Sequence, residues 1–303
     1  MMLLYDVPEY KRIRVIVDTD AACEADDPFA IAHALMCRKF EVKAILAEHF
    51  GGKGTVQRSM KEIETVLSCM ERDVPHFMGE DGPLSIVQDA PLSEAGEFLI
   101  REALAEDEKP LFVLCLGAIT NVARAMQACP EIKDRMTLVW IGCQDMDHPN
   151  PAFREFNSGN DIEAANFVLG SGAQVWLLPV TVYGKMRIGL AEIQKRISPC
   201  GKIGRHLFEQ MVAYNRSPYA GWTAGESWTL GDNPAIGVAL DPACGSYSLR
   251  PSPIVNEDTT CRLEEGRPLI RVYAWVDSRF VLEDMMSKLE LMYGAEKQVV
   301  NSR

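Results

Sequence analysis

The stretch IRVIVDTDAACEADDPFAIAHALM, residues 13–36, decides how this chain folds. It opens with the β-branched run 13–17 and closes with the apolar stretch 28–36, which has helical periodicity. A short β-branched run is typical of a buried strand, and proline is favoured at the first position of a helix. The segment therefore predicts a strand, an acidic loop and a helix in succession.

The same alternation continues along the chain. Apolar runs of strand length alternate with stretches of helical periodicity as far as residue 178. Buried strands that alternate with helices are typical of a parallel sheet covered on both faces. We therefore predict an α/β fold with an open, mostly parallel central sheet and helices on both faces. The predicted strands are 41–47, 111–116, 138–141 and 175–178, and the predicted helices are 56–69, 120–128 and 161–169.

The last third of the chain has a different composition. Residues 198–230 are rich in Gly, Trp, Tyr and Ser, and we interpret them as a flap or insertion. Alternating segments within 246–275, such as 269–275, predict edge strands, and a final helix is predicted at 280–293. Because there is no repeat or clear linker, we expect a single domain over residues 1–303.

The charge balance excludes several classes of partner. The chain carries 43 acidic and 31 basic residues, for a formal net charge of -12, and its basic residues are scattered. Such a chain repels phosphate backbones and anionic membrane surfaces, and no apolar run has the length of roughly 20 residues that a membrane helix needs. We expect no nucleic acid and no membrane among the partners, whereas a polyol, a neutral glycoside or a cation remains open.

Cysteine usage and the N-terminus favour a cytoplasmic protein. The nine cysteines are widely spread, and no Cys-x-x-Cys pair occurs, so zinc ribbons and thioredoxin-like chemistry lack support. We expect most of them to be reduced and buried. Residues 1–10 lack the basic start and long apolar stretch of a secretory signal.

The acidic loop is the strongest candidate for a functional site. Five carboxylates lie within ten residues directly after the first strand, at positions 18, 20, 24, 26 and 27. Ligands of open parallel sheets bind at the carboxyl ends of strands, and hard divalent cations prefer several oxygen ligands. A structural alternative exists for single residues, because Asp26 or Asp27 could cap the following helix.

Several motifs resemble the inosine–uridine nucleoside hydrolase family. The loop resembles the family's N-terminal DTDPGxDD signature in a form that is two residues longer, DTDAxxExDD, as in a long-loop branch of the family. Four further motifs follow in the family's order. They are LGAITN at 116–121, EFNSGNDIEAA at 155–165, LPVT at 178–181 and ESWTLGD at 226–232.

The resemblance implies a metal site and an activity. It implies Ca²⁺-dependent hydrolysis of the N-glycosidic bond of ribonucleosides to ribose and a free base. Asp20, Asp27 and Asp232 would hold the Ca²⁺ ion together with the backbone carbonyl of Leu116, and Asp20 would also be the general base. Asp18 would hold the loop. The resemblance also suggests a homodimer or homotetramer.

The resemblance likewise implies a sugar site. Asp26 would hold the ribose hydroxyls, and Glu155 and Asn157 would bind the sugar, with Asn160 and Asp161 close by. Asn157 and Asp161 have a structural alternative, since each could cap the helix that begins at residue 162.

The sequence departs from the family at two places. Gly231 stands where many members have the His that assists the leaving group, and 51–52 is Gly-Gly where an Asn is common, which would remove a contact to the 5′ side of the ribose. His148 and His49 are candidate replacement groups. The aromatic residues that could wall a base pocket are Tyr183, Tyr214, Tyr219, Trp222 and Trp228. Trp228 could equally belong to the core, and His148 could be a surface residue.

Two alternatives to ribonucleoside hydrolysis remain open. One keeps the fold and the metal but changes the substrate to another N-ribosyl compound. The other is a non-catalytic protein that binds ribose or a nucleoside. The retention of every metal-ligating carboxylate favours an enzyme.

Overall fold

The computed structural model describes residues 3–294 and contains twelve strands and twelve α-helices in that range. The strands are β1 Ile13–Thr19, β2 Phe40–Ala47, β3 His76–Met78, β4 Leu111–Cys115, β5 Met136–Ile141, β6 Gln174–Leu178, β7 Arg187–Gly189, β8 Ser227–Thr229, β9 Gly245–Pro251, β10 Ile254–Val255, β11 Cys261–Arg262 and β12 Leu269–Val276. The helices are α1 Asp27–Met36, α2 Thr55–Met70, α3 Leu84–Val87, α4 Glu94–Ala103, α5 Thr120–Ala128, α6 Phe156–Asn160, α7 Ile162–Gly170, α8 Val180–Tyr183, α9 Leu190–Glu192, α10 Gly201–Asn215, α11 Asn233–Leu240 and α12 Ser278–Tyr293.

Eight strands form the central sheet, in the order β3-β2-β1-β4-β5-β6-β12-β9. All neighbours in this sheet pair in parallel except β9, which runs antiparallel to β12 at one edge. The expected open, mostly parallel sheet is confirmed. The segment 269–276 was predicted as an edge strand, but it is the second strand from the edge, because it pairs with both β6 and β9.

Helices cover both faces of the sheet and bury two hydrophobic cores. The first core holds side chains of α1, α2, α10, α11 and α12, and the second holds side chains of α4, α5 and α7. Strand β1 serves both cores, since Val15 and Val17 point into the first and Ile16 into the second. This period-two alternation explains why Val15, Ile16 and Val17 are all apolar.

The segment 198–230 contributes to a core as well as to the surface. Its first part forms α10, whose Leu207 and Met211 are buried in the first core against α2. The following loop, 216–226, lies at the surface and ends at β8, which pairs with β7 as a separate two-stranded sheet. Within residues 3–294, no helix combines the length and apolar character needed to cross a membrane.

The strand order places a crevice at the carboxyl end of β1. Strand β1 pairs with β2 on one side and with β4 on the other, so the direction in which the chain adds strands reverses there. Open α/β sheets bind ligands in the crevice at such a reversal. The acidic loop leaves β1 at this point.

Candidate active site

Four aspartates from two distant segments meet at this crevice. Asp20 follows β1, Asp26 and Asp27 precede and begin α1, and Asp232 caps α11. Oxygens of Asp26, Asp27 and Asp232 lie within 4.8 Å of one another, and Asp20 joins Cys23 and Asp27 in a second such group. All four aspartates are buried. Asp27 belongs to both groups, so Asp20 and Asp232, the other two aspartates predicted to hold a cation, each lie close to Asp27.

Two glycines allow this approach. A Cβ at Gly117, in the turn after β4, would lie 2.4 Å from Oδ1 of Asp20. Only a residue without a side chain leaves room for that carboxylate. Gly231 donates its N–H to Oδ2 of Asp26 at 2.8 Å, and a Cβ there would lie 3.2 Å from the same oxygen.

A second layer of polar groups holds the carboxylates in place. The hydroxyl of Thr19 donates to Oδ1 of Asp27 at 2.5 Å. The side-chain amide of Asn121 donates to Oδ1 of Asp18 at 2.8 Å and to the carbonyl of Ala47 at 3.1 Å. Asp18 is thus tied to Asn121 at the start of α5, and its role in holding the loop stays a prediction.

Ionised carboxylates are costly in this cluster unless protons or a cation offset their charge. Burial raises the pKa of Asp20 well above its usual range, and the neighbouring charge of Asp27 raises it further. Burial also raises the pKa of Asp27, and burial together with the charges of neighbouring carboxylates raises the pKa of Asp232. Oδ2 of Asp20 is buried and has no hydrogen-bond partner among the described residues. Hard oxygen ligands that lack compensation fit a divalent cation of the Ca²⁺ or Mg²⁺ class.

The backbone carbonyl of Leu116 borders the same space. It accepts a hydrogen bond from the side-chain amide of Asn157 at 2.6 Å, and that amide also donates to the carbonyl of Ile141 at 3.0 Å. A carbonyl oxygen has a second lone pair, so Leu116 can still offer an electron pair to a cation. Both Leu116 and Asn157 lie on the wall of the cavity.

Glu155 is held by several donors at once. Its Oε2 accepts from the N–H groups of Cys143 and Ser158, at 3.0 and 2.9 Å, and also from the Ser158 hydroxyl. Its Oε1 accepts from the hydroxyl of Tyr183 at 2.9 Å and from the N–H of Asn157 at 3.3 Å. Glu155 therefore caps α6 and presents a fixed carboxylate to the cavity.

The aspartates open into a cavity of about 480 Å³. This volume is within the range of small-molecule sites. The predicted residues on its wall are Asp20, Asp26, Asp27, Leu116, Glu155, Asn157 and Asp232.

Three predicted substrate contacts lie away from this wall. Asn160 ends α6, and its Oδ1 lies 3.1 Å from where a Cβ of Gly51 would be. Trp228 is 1% exposed and packs against the rings of Tyr214 and Trp222, so it belongs to the core under the cavity. The side chain of His148 is 87% exposed and pairs with Asp145, as expected of a surface loop residue.

Asp161 caps a helix and binds neighbouring backbone and side-chain groups. Its Oδ1 caps α7 through the N–H of Ala164, and its Oδ2 accepts from the N–H of Leu84 and the hydroxyl of Thr120. These contacts occupy both oxygens, which agrees with the capping alternative.

Tyr183 and Trp222, two of the aromatic residues offered as walls of a base pocket, do line the cavity. Apart from the residues already named, the remaining wall residues were not predicted as site residues. Arg187 reaches the cavity through the short pairing of β7 with β8, which has no clear sequence signal. The other wall residues are Cys23, Glu24, Ile141, Phe153, Arg154, Phe156, Val180, Gly184, Thr229 and Gly231.

Comparison with known proteins agrees with this geometry. The pyrimidine-specific ribonucleoside hydrolase RihA of Salmonella typhimurium is 28% identical over 265 residues, covering 78% of this chain and 79% of that protein. The purine-preferring ribonucleoside hydrolase from Gardnerella vaginalis has the same fold, with a TM-score of 0.77 at 19% identity over 92% of this chain and 99% of that one. An inosine-guanosine nucleoside hydrolase also has the same fold, with a TM-score of 0.76 at 23% identity over 94% of this chain and 100% of that one.

The family assignment rests on a match along most of the chain. The sequence model of inosine-uridine preferring nucleoside hydrolases matches residues 15–279, which include every aspartate of the cluster. The chain therefore belongs to the inosine–uridine preferring nucleoside hydrolase family and is an N-glycoside hydrolase.

Proposed function

We propose that this chain hydrolyses ribonucleosides to ribose and a free base with a Ca²⁺ ion held by Asp20, Asp27, Asp232 and the carbonyl of Leu116. The observation that carries the proposal is the convergence of buried carboxylates from both ends of the sequence beside a cavity of nucleoside size. When bound, Ca²⁺ would supply positive charge that lowers the pKa of a bound water and orients the sugar diol.

The chain's own residues perform the remaining steps. Asp20 accepts a proton from the attacking water, and its Oδ2 has no other partner among the described residues. The water oxygen bonds to the anomeric carbon as the bond to the base breaks, and the bonding electron pair leaves with the base nitrogen. Asp26 and Asn157 bind sugar hydroxyls beside the developing oxocarbenium ion, which nearby carboxylates stabilise.

Aromatic side chains form part of the cavity wall. Trp222 and Phe156 lie on the wall, and Trp222 rests edge-on against buried Trp228 at 5.2 Å between ring centroids. An aromatic face can stack on a purine or a pyrimidine. This surface supports a nucleoside over a bare sugar, and we leave the base preference to experiment. The long-loop branch stays part of the proposal, since the longer loop puts Cys23 and Glu24 on the wall.

The proposal is tested by incubating the protein with purine and pyrimidine ribonucleosides and CaCl₂ and measuring the release of reducing sugar. Asp20→Ala should reduce the rate by about 10²- to 10⁴-fold, as loss of a general base does. Asp134→Ala is the matched control, because Asp134 is an exposed aspartate before β5, at the opposite end of the sheet.

Each alternative predicts a different result. Nucleoside binding without ribose release would support a non-catalytic binding protein. If the protein binds no ribonucleoside but hydrolyses another N-ribosyl compound, the alternative in which the fold and the metal serve a different substrate would be supported. Sedimentation at several concentrations would test the proposed homodimer or homotetramer.

A further inference from the structure

Tyr183 is the wall residue whose hydrogen bonding most restricts what it can offer a ligand. It ends α8, directly after β6, and its side chain lies on the cavity wall. Its hydroxyl donates to Oε1 of Glu155 at 2.9 Å. A phenol has one proton and two lone pairs, so the direction of that proton decides what the oxygen can do.

The proton of Tyr183 is committed to Glu155. The Glu155 carboxylate accepts hydrogen bonds from the N–H groups of Cys143, Asn157 and Ser158 as well as from the phenol. Because these backbone groups can only donate, Glu155 is the acceptor in its hydrogen bonds, and the phenol of Tyr183 is the donor. Burial also raises the pKa of Tyr183 well above its usual range, so the phenol keeps its proton. Toward the cavity, the phenol oxygen can therefore only accept.

Gly231 leaves room for the Tyr183 ring. A Cβ at position 231 would lie 3.4 Å from Cδ2 of Tyr183 and 3.2 Å from Oδ2 of Asp26. A larger side chain would extend from a position already in contact with the ring and the carboxylate. The ring therefore lies against the backbone beside Asp232, on the same wall as the aspartates.

We propose that Tyr183 is a specificity-determining residue whose hydroxyl oxygen accepts a hydrogen bond from an O–H or N–H donor of the bound nucleoside. This inference rests on the proposed function. The donor is either the 5′-hydroxyl of the ribose or an exocyclic amino group of the base, since both have the required chemistry. A substrate that lacks the donor leaves the phenol oxygen without its partner, which lowers affinity.

The test compares Tyr183→Phe with the wild type on matched ligands. For purines the ligands are adenosine, 5′-deoxyadenosine, which lacks a sugar hydroxyl, and purine riboside, which lacks the amino group. For pyrimidines they are cytidine, 5′-deoxycytidine and the 2-pyrimidinone riboside. The variant should lose about 10-fold in kcat/KM on the parent and on the analogue that keeps the donor. On the analogue that lacks the donor, Tyr183→Phe should have almost the same kcat/KM as the wild type. The analogue that shows this result identifies which group of the nucleoside donates to Tyr183.

A second variant separates recognition from support of Glu155. Ser158→Ala removes another donor to the same carboxylate without touching Tyr183, so its effect should be equal on all three ligands. An equal loss for Tyr183→Phe across the three ligands, or no loss on any, would overturn the proposal.

Failure of the proposed function gives a different pattern. If the wild type hydrolyses none of the ligands, binding affinities measured by calorimetry replace kcat/KM. Tyr183→Phe should then bind the ligands that carry the donor more weakly than the wild type does, and should bind the analogue without the donor equally well. An affinity difference that follows the donor would support Tyr183 even though hydrolysis fails. Absence of binding to all of them would overturn both.

Discussion

The N–H of Gly231 donates to Oδ2 of Asp26 at 2.8 Å and so ties the acidic loop to the residue before Asp232. The bond fixes one oxygen of Asp26, and both residues lie on the wall of the cavity. An amide at position 26 can keep the bond to Gly231 through its own oxygen. It then presents a donor where the carboxylate presented an acceptor.

Asp26→Asn is therefore expected to weaken sugar binding more than cation binding. Loss of a charged acceptor for the ribose hydroxyls should raise KM by about 10- to 100-fold. Steady-state kinetics on the best ribonucleoside and calorimetric Ca²⁺ titration measure the two effects. Asp27→Asn is the comparison, because its first effect should be on Ca²⁺ affinity. Equal loss of Ca²⁺ affinity in the two variants would assign Asp26 to the cation instead.

Removal of the cation should lower thermal stability. Buried carboxylates that repel one another are stabilised when a divalent cation binds only the folded state. At a free concentration 100 times the Kd, this linkage adds about 2.7 kcal/mol, which corresponds to a rise in Tm of about 4 °C for a chain of this length. Differential scanning calorimetry with EGTA and with CaCl₂ measures the shift. Asp27→Asn/Asp232→Asn should show almost no shift, and a full shift in that variant would place the cation elsewhere.

Gly117→Ala should impair activity while the protein stays folded. The new Cβ would lie 2.4 Å from Oδ1 of Asp20, so the carboxylate must move. Displacement of a catalytic group by about 1 Å costs on the order of 100-fold in rate. Gly189→Ala is the matched control, because nothing lies within 4 Å of a Cβ there. Wild-type kcat/KM in Gly117→Ala would contradict the placement of Asp20.

Asn121→Ala should destabilise the fold. Its side-chain oxygen accepts from the N–H of Glu80 at 2.8 Å, and its amide donates to Asp18 and Ala47. Truncation leaves these buried groups without partners, at a cost of about 3 kcal/mol and about 5–10 °C in Tm. Urea and thermal unfolding measure it. Gln127→Ala, on the exposed side of the same helix, should shift Tm far less.

His33 should make stability fall as the pH is lowered. Its Nε2 lies 2.8 Å from Oδ2 of Asp284, and its Nδ1 lies 3.3 Å from the amide of Asn233. Burial lowers the pKa of His33 below its ordinary value of 6.5. The unfolded chain therefore takes up a proton first, so stability present above pH 6.5 is lost as the pH falls below it.

Urea unfolding between pH 8 and pH 5 with saturating CaCl₂ measures this effect. Relative to His33→Gln, the wild type should become less stable toward the acid end. His148→Gln is the control, since that side chain is exposed and should leave the pH dependence unchanged. Parallel curves for wild type and His33→Gln would contradict the assignment.

Most of the fold could be predicted from local pattern, and the exceptions have physical reasons. The strands that are buried on both faces, such as β1 and β5, have continuous apolar runs that the sequence shows directly. Strand β3 has only three residues, and most of β9 is exposed, so neither has a clear apolar period. The pairing of β12 inside the edge depends on contacts that no local pattern encodes.

The site divides in the same way. The acidic loop stands out because its five carboxylates lie within ten residues of sequence. Asp232 could be linked to them only by the family resemblance, since it is far away along the chain. The position of the Trp228 side chain could not be predicted from sequence, because an aromatic residue near a metal ligand can point either into the cavity or into the core. Only the packing against Tyr214 and Trp222 decides which.

The convergence of Asp27 and Asp232 has a consequence for biosynthesis. One carboxylate emerges from the ribosome early, and its partner follows only after all six strands β1–β6 of the parallel part of the sheet have been synthesised. A nascent or truncated chain that ends before Asp232 carries the acidic loop without one of its proposed cation ligands. Tight cation binding is therefore expected only of a chain that extends beyond Asp232.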